Sequence, residues 1–505
     1  MSRTKRFFMN SFTAALYQVV LLAVGLITPR IMLQTYGSEI NGLVSSITQF
    51  ISYFYLVSAG LSGAAIYALY KPLADKDYRA VNAVVAAAKK FYMRAGWLFV
   101  LLTVVLAVSY PFYIKTDVLE PLFIGLLVLV LGVSGTLDFF TLSKYNVLLN
   151  ADQKNFVISL ASTVALAVNT VMLVLLARGG VGILQLKAIV LFTVFLRSAI
   201  LMIYCKKNYK YLNYKETPNN AALNRRWDAL FQQLLGVIQT SAPAVIITLV
   251  SKDLKLVSVY SVFNMVITGL NGVMSIFTNG LIASFGEVIA KGEIKVLQKA
   301  YREFEFTYLT LITAVYSITF VVIMPFIRLY TRNITDANYN LPLIGFLFVL
   351  NALLFNIKTP QAMLALSAGL YRETRWRATI QSGIIVVGGV ILTPFMGLYG
   401  VLIALIASNV YRTIDLLFFT PKYVTHLPVR GSAARLIRVF LAAAAVYVPL
   451  CFFDYQPAGF PSLVIYAVCV SLCTAAVVFL SCLLFERTEM KDVLFRMRGV
   501  LRRKK

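Results

Sequence analysis

The feature that most constrains this chain is a succession of apolar runs, each about twenty residues long, separated by short charged segments. A helix of about twenty residues spans the hydrocarbon core of a bilayer. Backbone groups inside that core must bond to one another, so a run of this kind folds as a helix. Such runs fall at 11–30, 41–66, 91–113, 119–142, 156–177, 181–204, 228–250, 256–288, 304–330, 341–366, 378–395, 398–420, 437–453 and 461–485. The expected fold class is therefore all-α: a polytopic membrane protein with about fourteen transmembrane helices. The runs at 41–66, 256–288 and 304–330 are long enough to tilt or to extend beyond the bilayer.

Only 13% of the 505 residues are charged and 59% are hydrophobic, where a soluble chain carries about a quarter charged residues. The net charge of +26 comes from basic residues in the short segments between runs. That placement points to membrane topology, because Lys and Arg hold loops in the cytoplasm, and it argues against a nucleic-acid partner. With both termini inside, the inner segments collect 36 of the 47 Lys and Arg. They run from Arg3, Lys5 and Arg6, through Lys71 to Arg94 and Lys206 to Arg226, to the tail Arg487 to Lys505. The outer side receives Arg30, Lys115, Arg178, Lys252, Lys255, Arg328 and Arg332. A miscounted span would mix the two sets, so the split supports an even number of helices with N- and C-termini cytoplasmic. The basic start MSRTKRFFMNSF leads into the first run without a small-residue cleavage site, and it is expected to stay as a cytoplasmic tail.

A single histidine, His426, leaves no material for a His-based triad or a His-rich metal site, and the five cysteines form no CxxC pair. No catalytic residue, metal site or bound cofactor is expected. Nor does any Walker A motif point to ATP hydrolysis.

The chain also resembles itself. ADKDYRAVN at 74–82 matches AKGEIKVLQ at 290–298, and LRSAILMIYCKK at 196–207 matches YRTIDLLFFTPK at 411–422. The two offsets, 216 and 215 residues, agree within one residue. The second match sets Arg197 over Arg412. This predicts two pseudo-symmetric six-helix lobes in the same orientation, 1–210 and 228–425, joined by a polar cytoplasmic linker at 211–227. Two further helices and a basic cytoplasmic tail follow at 426–505. Parallel repeats of this kind mark secondary transporters, with the substrate site between the halves.

A 6 + 6 + 2 pattern with a basic interlobe loop, the phrase PRIMLQTYGSEINGL at 29–43 and the stretch LLNADQKNFVISLAST at 148–163 resemble the polysaccharide transport family. That family, which includes the O-antigen flippases, belongs to the multidrug/oligosaccharidyl-lipid/polysaccharide exporter (MOP) superfamily. The resemblance covers essentially the whole chain. It implies a flippase rather than an enzyme, in a bacterial inner membrane. The cargo it implies is a lipid-linked oligosaccharide of the undecaprenyl-diphosphate type, moved from the cytoplasmic to the outer leaflet by alternating access and driven by a proton or sodium gradient. Expected partners are the lipid-linked oligosaccharide, membrane lipids, a polysaccharide polymerase and glycosyltransferases. The alternatives are a peptidoglycan lipid precursor flippase or a multidrug/cation antiporter of the same superfamily. From a different class, a membrane enzyme acting on lipid-linked sugars would need paired acids at the membrane face.

Ionisable residues inside spans are expensive and are functional candidates for that reason. A diphosphate headgroup calls for cations, and Arg offers a planar fork for phosphate. The cationic candidates are Arg197, Lys358, Lys187 and Arg412, with Arg30 at the outer end of the first span. Against this reading, Arg412 has Asp415 one turn away, and Arg197 and Lys187 can reach the membrane surface. Asp138 is the best-placed intramembrane acid and the candidate for ion coupling, unless it pairs with Lys144. Polar residues that would wet a sugar-lined lumen are Gln49, Ser52, Asn264, Thr268, Asn271, Gln239 and Asn356. The competing role for these is hydrogen bonding between packed helices.

Overall fold

A computed structural model describes residues 3–491 apart from 115, 215, 220–225, 279–280 and 454. Lys115, part of the 211–227 linker and residues 492–505 of the basic tail therefore lie outside the described residues. Among the described residues every regular element is helical, and thirteen helical stretches are long and apolar enough to cross a membrane. The protein is a multi-pass helical membrane protein.

The first of these stretches, Phe8–Asp75, has 68 residues. At 1.5 Å per residue it would run about 100 Å, against a hydrocarbon core of about 30 Å. It is broken at Gly37 (φ 80°, ψ 174°), inside α1 (Arg3–Phe54). Only glycine takes that conformation without strain. Divided there, the stretch supplies two crossings and brings the total to the expected fourteen. A short 3₁₀ turn, Tyr55–Ser58, leads to α2 (Leu61–Asp75).

The chain forms two compact units, residues 1–261 and 262–505. Their boundary falls later than the polar linker, inside a helix. In unit 1, α3 (Tyr78–Tyr113) packs on α2 and on α4 (Pro121–Leu137). A π-helical turn at Asp138–Leu142 separates α4 from α5 (Ser143–Ala151). Then come α6 (Asn155–Arg178), α7 (Ile183–Val190), α8 (Phe192–Asn208) and α9 (Arg226–Ile246). Helix α1 lies along α6 and α9. The start of α10 (Leu254–Thr278) meets α1 at Gly42. A Cβ on Gly42 would stand 1.8 Å from the Leu254 carbonyl oxygen, so the contact needs glycine. Beside it, the Asn41 amide donates to the Ser258 hydroxyl at 2.8 Å.

Unit 2 continues with α11 (Leu281–Ala290), α12 (Ile294–Tyr330), α13 (Pro342–Ile357), α14 (Thr359–Ser367), α15 (Tyr371–Met396), α16 (Leu398–Thr420), α17 (Val429–Cys451) and α18 (Phe460–Phe485). Helix α12 is its axis and packs on α13, α17 and α18, while α15 and α16 lie together.

The run at 256–288 is described as α10 and α11, and residues 279–280 between them lie outside the described residues. Leu281, Phe285, Val288 and Ile289 of α11 form one apolar face that packs with Tyr301, Phe304 and Leu364. The run at 341–366 stands as one membrane-length stretch, Pro342–Ser367, with a one-residue turn at Lys358 between α13 and α14. Pro360 opens α14, a position where its missing N–H costs nothing.

Candidate functional site

The division of α13 from α14 sets Lys358 at a helix junction, buried at 7% exposure. Its ammonium donates to Oδ1 of Asn409 on α16 and lies 4.9 Å from the centre of the Phe355 ring. The Asn409 amide in turn donates to Oδ1 of Asn351 at 2.8 Å. Among the described residues no carboxylate pairs with Lys358. One turn along α16 from Asn409 is Arg412, also buried, and three residues further Asp415. Arg412 donates to Asp415 Oδ2 at 2.5 Å, and Arg377 of α15 bonds to the other carboxylate oxygen. Arg377 and Arg412 thus share a single acid on α16, and Lys358 meets the same helix at Asn409.

In unit 1 the π-helical turn carries Asp138. Its carboxylate lies 3.9 Å from Arg197 of α8, and the Tyr55 hydroxyl is 3.5 Å from the other oxygen. Both partners are partly exposed, at 27% and 33% of the side chain. Asp138 pairs with Arg197 rather than with Lys144, whose ammonium instead lies over the Tyr145 and Tyr214 rings. Lys187 of α7 is half-buried, as is Arg30 of α1 just after Pro29.

The polar residues divide. Asn271 and Asn356 come together: the Asn356 amide donates to Asn271 Oδ1 at 2.8 Å. The Tyr308 and Tyr316 hydroxyls donate to Asn356 and Asn271, both at 3.0 Å. This network ties α10, α12 and α13 together. Ser52 bonds within its own helix to the Thr48 carbonyl at 2.9 Å. Gln49, Gln239 and Asn264 are half-buried, and Thr268 is exposed.

The charge-dense centre that sequence reasoning missed is at the start of α12. Glu305 is 1% exposed and receives Arg435 of α17 at 2.6 Å, the Tyr301 hydroxyl at 2.8 Å and the Ser432 hydroxyl at 2.8 Å. Arg435 also bonds Glu486 at 2.5 Å and Glu489 at 3.1 Å, and Arg438 pairs with Glu486 at 2.5 Å. An available signal was Glu303 and Glu305 at the mouth of one apolar run, matched by two arginines at the mouth of another.

No family model and no curated protein matches the sequence. Solved structures do match its fold. The lipid II flippase MurJ in an inward closed conformation superposes with a TM-score of 0.66 at 13% identity, over 94% of this chain and all (100%) of that one. The MATE multidrug transporter DinF-BH in complex with R6G gives 0.62 at 14% identity, over 85% of this chain and 98% of that one. An inward-facing MATE family multidrug resistance transporter gives 0.60 at 12% identity, over 84% and 99%. The chain has the fold of the MOP superfamily transporters. Within that fold, the Lys358–Arg377–Arg412 cluster and the Asp138–Arg197 pair lie one in each unit. The first carries excess positive charge, with Lys358 and Arg412 buried and Arg377 half-exposed, and suits an anion. The second holds an acid and a base loosely enough for either to change partner.

Proposed function

We propose that the chain is a flippase for lipid-linked oligosaccharides, carrying undecaprenyl-diphosphate-type glycans from the cytoplasmic to the outer leaflet of a bacterial inner membrane by alternating access. The observation that carries this reading is the pair of buried cations Lys358 and Arg412, joined by the half-exposed Arg377, with Asp415 as their one acid among the described residues. A buried charge without a counter-ion is costly, and inside a membrane such a charge marks a binding or transport step. A diphosphate would balance the excess, while the lipid tail stays in the bilayer and the sugars meet the amides of Asn351 and Asn409. Lys187 and Arg30 supply further cations toward the other end of unit 1, and Gln49, Ser52, Gln239, Asn264 and Thr268 supply polar contacts for the sugars.

Asp138 gives a route to gradient coupling. Protonation of its carboxylate, or its occupation by sodium, weakens its hold on Arg197 and leaves that guanidinium free for phosphate. Cargo and coupling ion would then act through one arginine. A polysaccharide polymerase and glycosyltransferases are the partners this role requires.

A peptidoglycan lipid precursor flippase is the second reading. The MurJ match favours it, because that match spans 94% of the chain against 84% and 85% for the two MATE structures. The difference is comparable with the 23 and 26 residues of α17 and α18. Surface glycan in cells carrying Arg197→Ala or Lys358→Ala separates the readings. At wild-type membrane levels of protein, each variant is expected to lower polysaccharide export at least about tenfold, the loss of one charged contact to phosphate. Normal export in both variants would sink the proposal. A loss of peptidoglycan precursor export with surface glycan intact would transfer it to the second reading. Export that persists after collapse of both proton and sodium gradients would remove the coupling role of Asp138.

A further inference from the structure

Helix α3 changes character along its length. Lys89, Lys90 and Arg94 stand in its first half, whereas the exposed residues beyond them include Trp97, Leu98, Leu101, Val104, Val105 and Val108. A tryptophan between cations and an apolar face is the arrangement found where headgroups meet hydrocarbon. The link that follows α8 folds back onto this end of α3. The Asn82 amide donates to the Tyr211 carbonyl at 2.9 Å, the Asn213 N–H donates to Asn82 Oδ1 at 3.1 Å, and the Asn219 N–H donates to the Ala83 carbonyl at 3.1 Å. Tyr78 and Tyr211 stack with ring centres 4.1 Å apart. These contacts hold Tyr214 above the helix, where its ring meets the ammonium groups of Lys89 at 5.2 Å and Lys144 at 5.5 Å.

Between the link and the helix lies a cavity of about 350 Å³, lined by Lys89, Lys90, Met93, Arg94, Trp97 and Tyr214 among others. That volume suits a small polar group. Among the described residues, none of Lys89, Lys90, Arg94 and Lys144 makes an ion pair with a carboxylate. Three cations, Lys89, Lys90 and Arg94, therefore line one pocket whose open side continues into an apolar strip, and Lys144 reaches the Tyr214 ring beside it.

We propose that this pocket binds the phosphate headgroup of a bulk anionic membrane lipid, whose acyl chains run along the exposed face of α3 past Trp97. The cations supply the charge complement. The apolar strip selects a lipid over a free phosphate, since an inorganic ion gains nothing from Trp97, Leu98 and Leu101. Each Lys or Arg near a membrane surface adds a modest attraction to anionic lipid, and three acting together add up to a strong preference. The proposal is independent of what the protein transports.

The test uses the full chain in nanodiscs and reads lipid retained after detergent extraction by native mass spectrometry. Phosphatidylglycerol is expected to stay bound and phosphatidylcholine to wash away. Lys89→Gln, Lys90→Gln and Arg94→Gln combined should lower retained phosphatidylglycerol at least about tenfold, while Lys295→Gln with Lys299→Gln, in unit 2, should leave it unchanged. Equal retention of both lipids, or no loss in the triple variant, overturns the proposal. Displacement by millimolar inorganic phosphate overturns the lipid assignment in favour of a free-phosphate site. Selective retention of an added undecaprenyl diphosphate over phosphatidylglycerol would mean that the pocket serves the cargo, and would overturn the bulk-lipid assignment. A second measurement leaves the cations in place. The chain has three tryptophans, so Trp227→Phe with Trp376→Phe isolates Trp97. Brominated phosphatidylglycerol should quench its fluorescence more than brominated phosphatidylcholine, and equal quenching defeats the idea.

Discussion

Unit 2 contains two groups of charges on neighbouring helices, built to opposite balances. Around Arg435 and Arg438, two cations meet three acids, Glu305, Glu486 and Glu489. Along α16, two cations share one acid, Asp415, and a third, Lys358, meets an amide. The first group is closed: the side chains of Glu305 and Arg435 are 2% and 7% exposed, and their remaining bonds go to Tyr301, Ser432 and the other acids. It ties α12, α17 and α18 together and leaves no cation for a ligand. The second group is open, because Lys358 has an amide where a carboxylate would stand. Position inside a span does not by itself separate structural charges from working ones. The local balance of acids and bases does, and the Asp138–Arg197 pair in unit 1, matched one to one but at 3.9 Å, stands between the two extremes.

The comparison breaks if Arg435→Ala is harmless. Removing one partner from a buried network leaves uncompensated charge and costs about 3–5 kcal/mol. Thermal unfolding of the detergent-solubilised variant should show a large loss of stability, with low yield in the membrane. The open group makes the opposite prediction. Lys358→Met keeps the volume of the side chain and removes a buried charge that has no acid beside it. Its stability should stay within about 1 kcal/mol of wild type or rise slightly, even as export fails. If Lys358→Met destabilised the protein as much as Arg435→Ala, both groups would be structural and the distinction would be lost.

Much of this architecture is legible in the sequence, for a local reason. Apolar runs of bilayer length and the distribution of Lys and Arg set the helices, and helical periodicity pairs Arg412 with Asp415 at a spacing of three. The legible part ends where partners are far apart in the chain. Asp138 has Lys144 six residues away, yet it pairs with Arg197 on α8, a choice made by how α4 and α8 pack. Arg435 and Arg438 read as topology signals at the head of a span, because Glu305 and Glu486 belong to other helices. The turn at Lys358 was within reach, since Pro360 follows it closely, but the apolar content of 341–366 outweighs that single residue in any hydropathy reading. Asn271 and Asn356, polar residues on two different spans, could not be seen to bond to each other and to Tyr308 and Tyr316 until α10, α12 and α13 were placed together.

The smallest expected effect tests the edge of the closed group. Glu489 follows α18, outside the spans, at 31% side-chain exposure. Its partial burial works to raise its pKa. That is outweighed by hydrogen bonds from the backbone and Thr488 and by Arg435, which together hold it below the ordinary value of 4.5. A carboxylate with a depressed folded-state pKa contributes stability above its unfolded pKa and loses it as the pH falls through the folded value. The contribution of Glu489 should therefore be present at pH 6 to 7 and fade below about 4.5. Solvent screening at this exposure keeps it under about 1 kcal/mol. Glu489→Gln should lower the unfolding temperature slightly at pH 7 and make a smaller difference at pH 3.5. An equal deficit at both pH values would mean that the glutamate acts through packing rather than charge. The balance of acids around Arg435 would then rest on Glu305 and Glu486 alone.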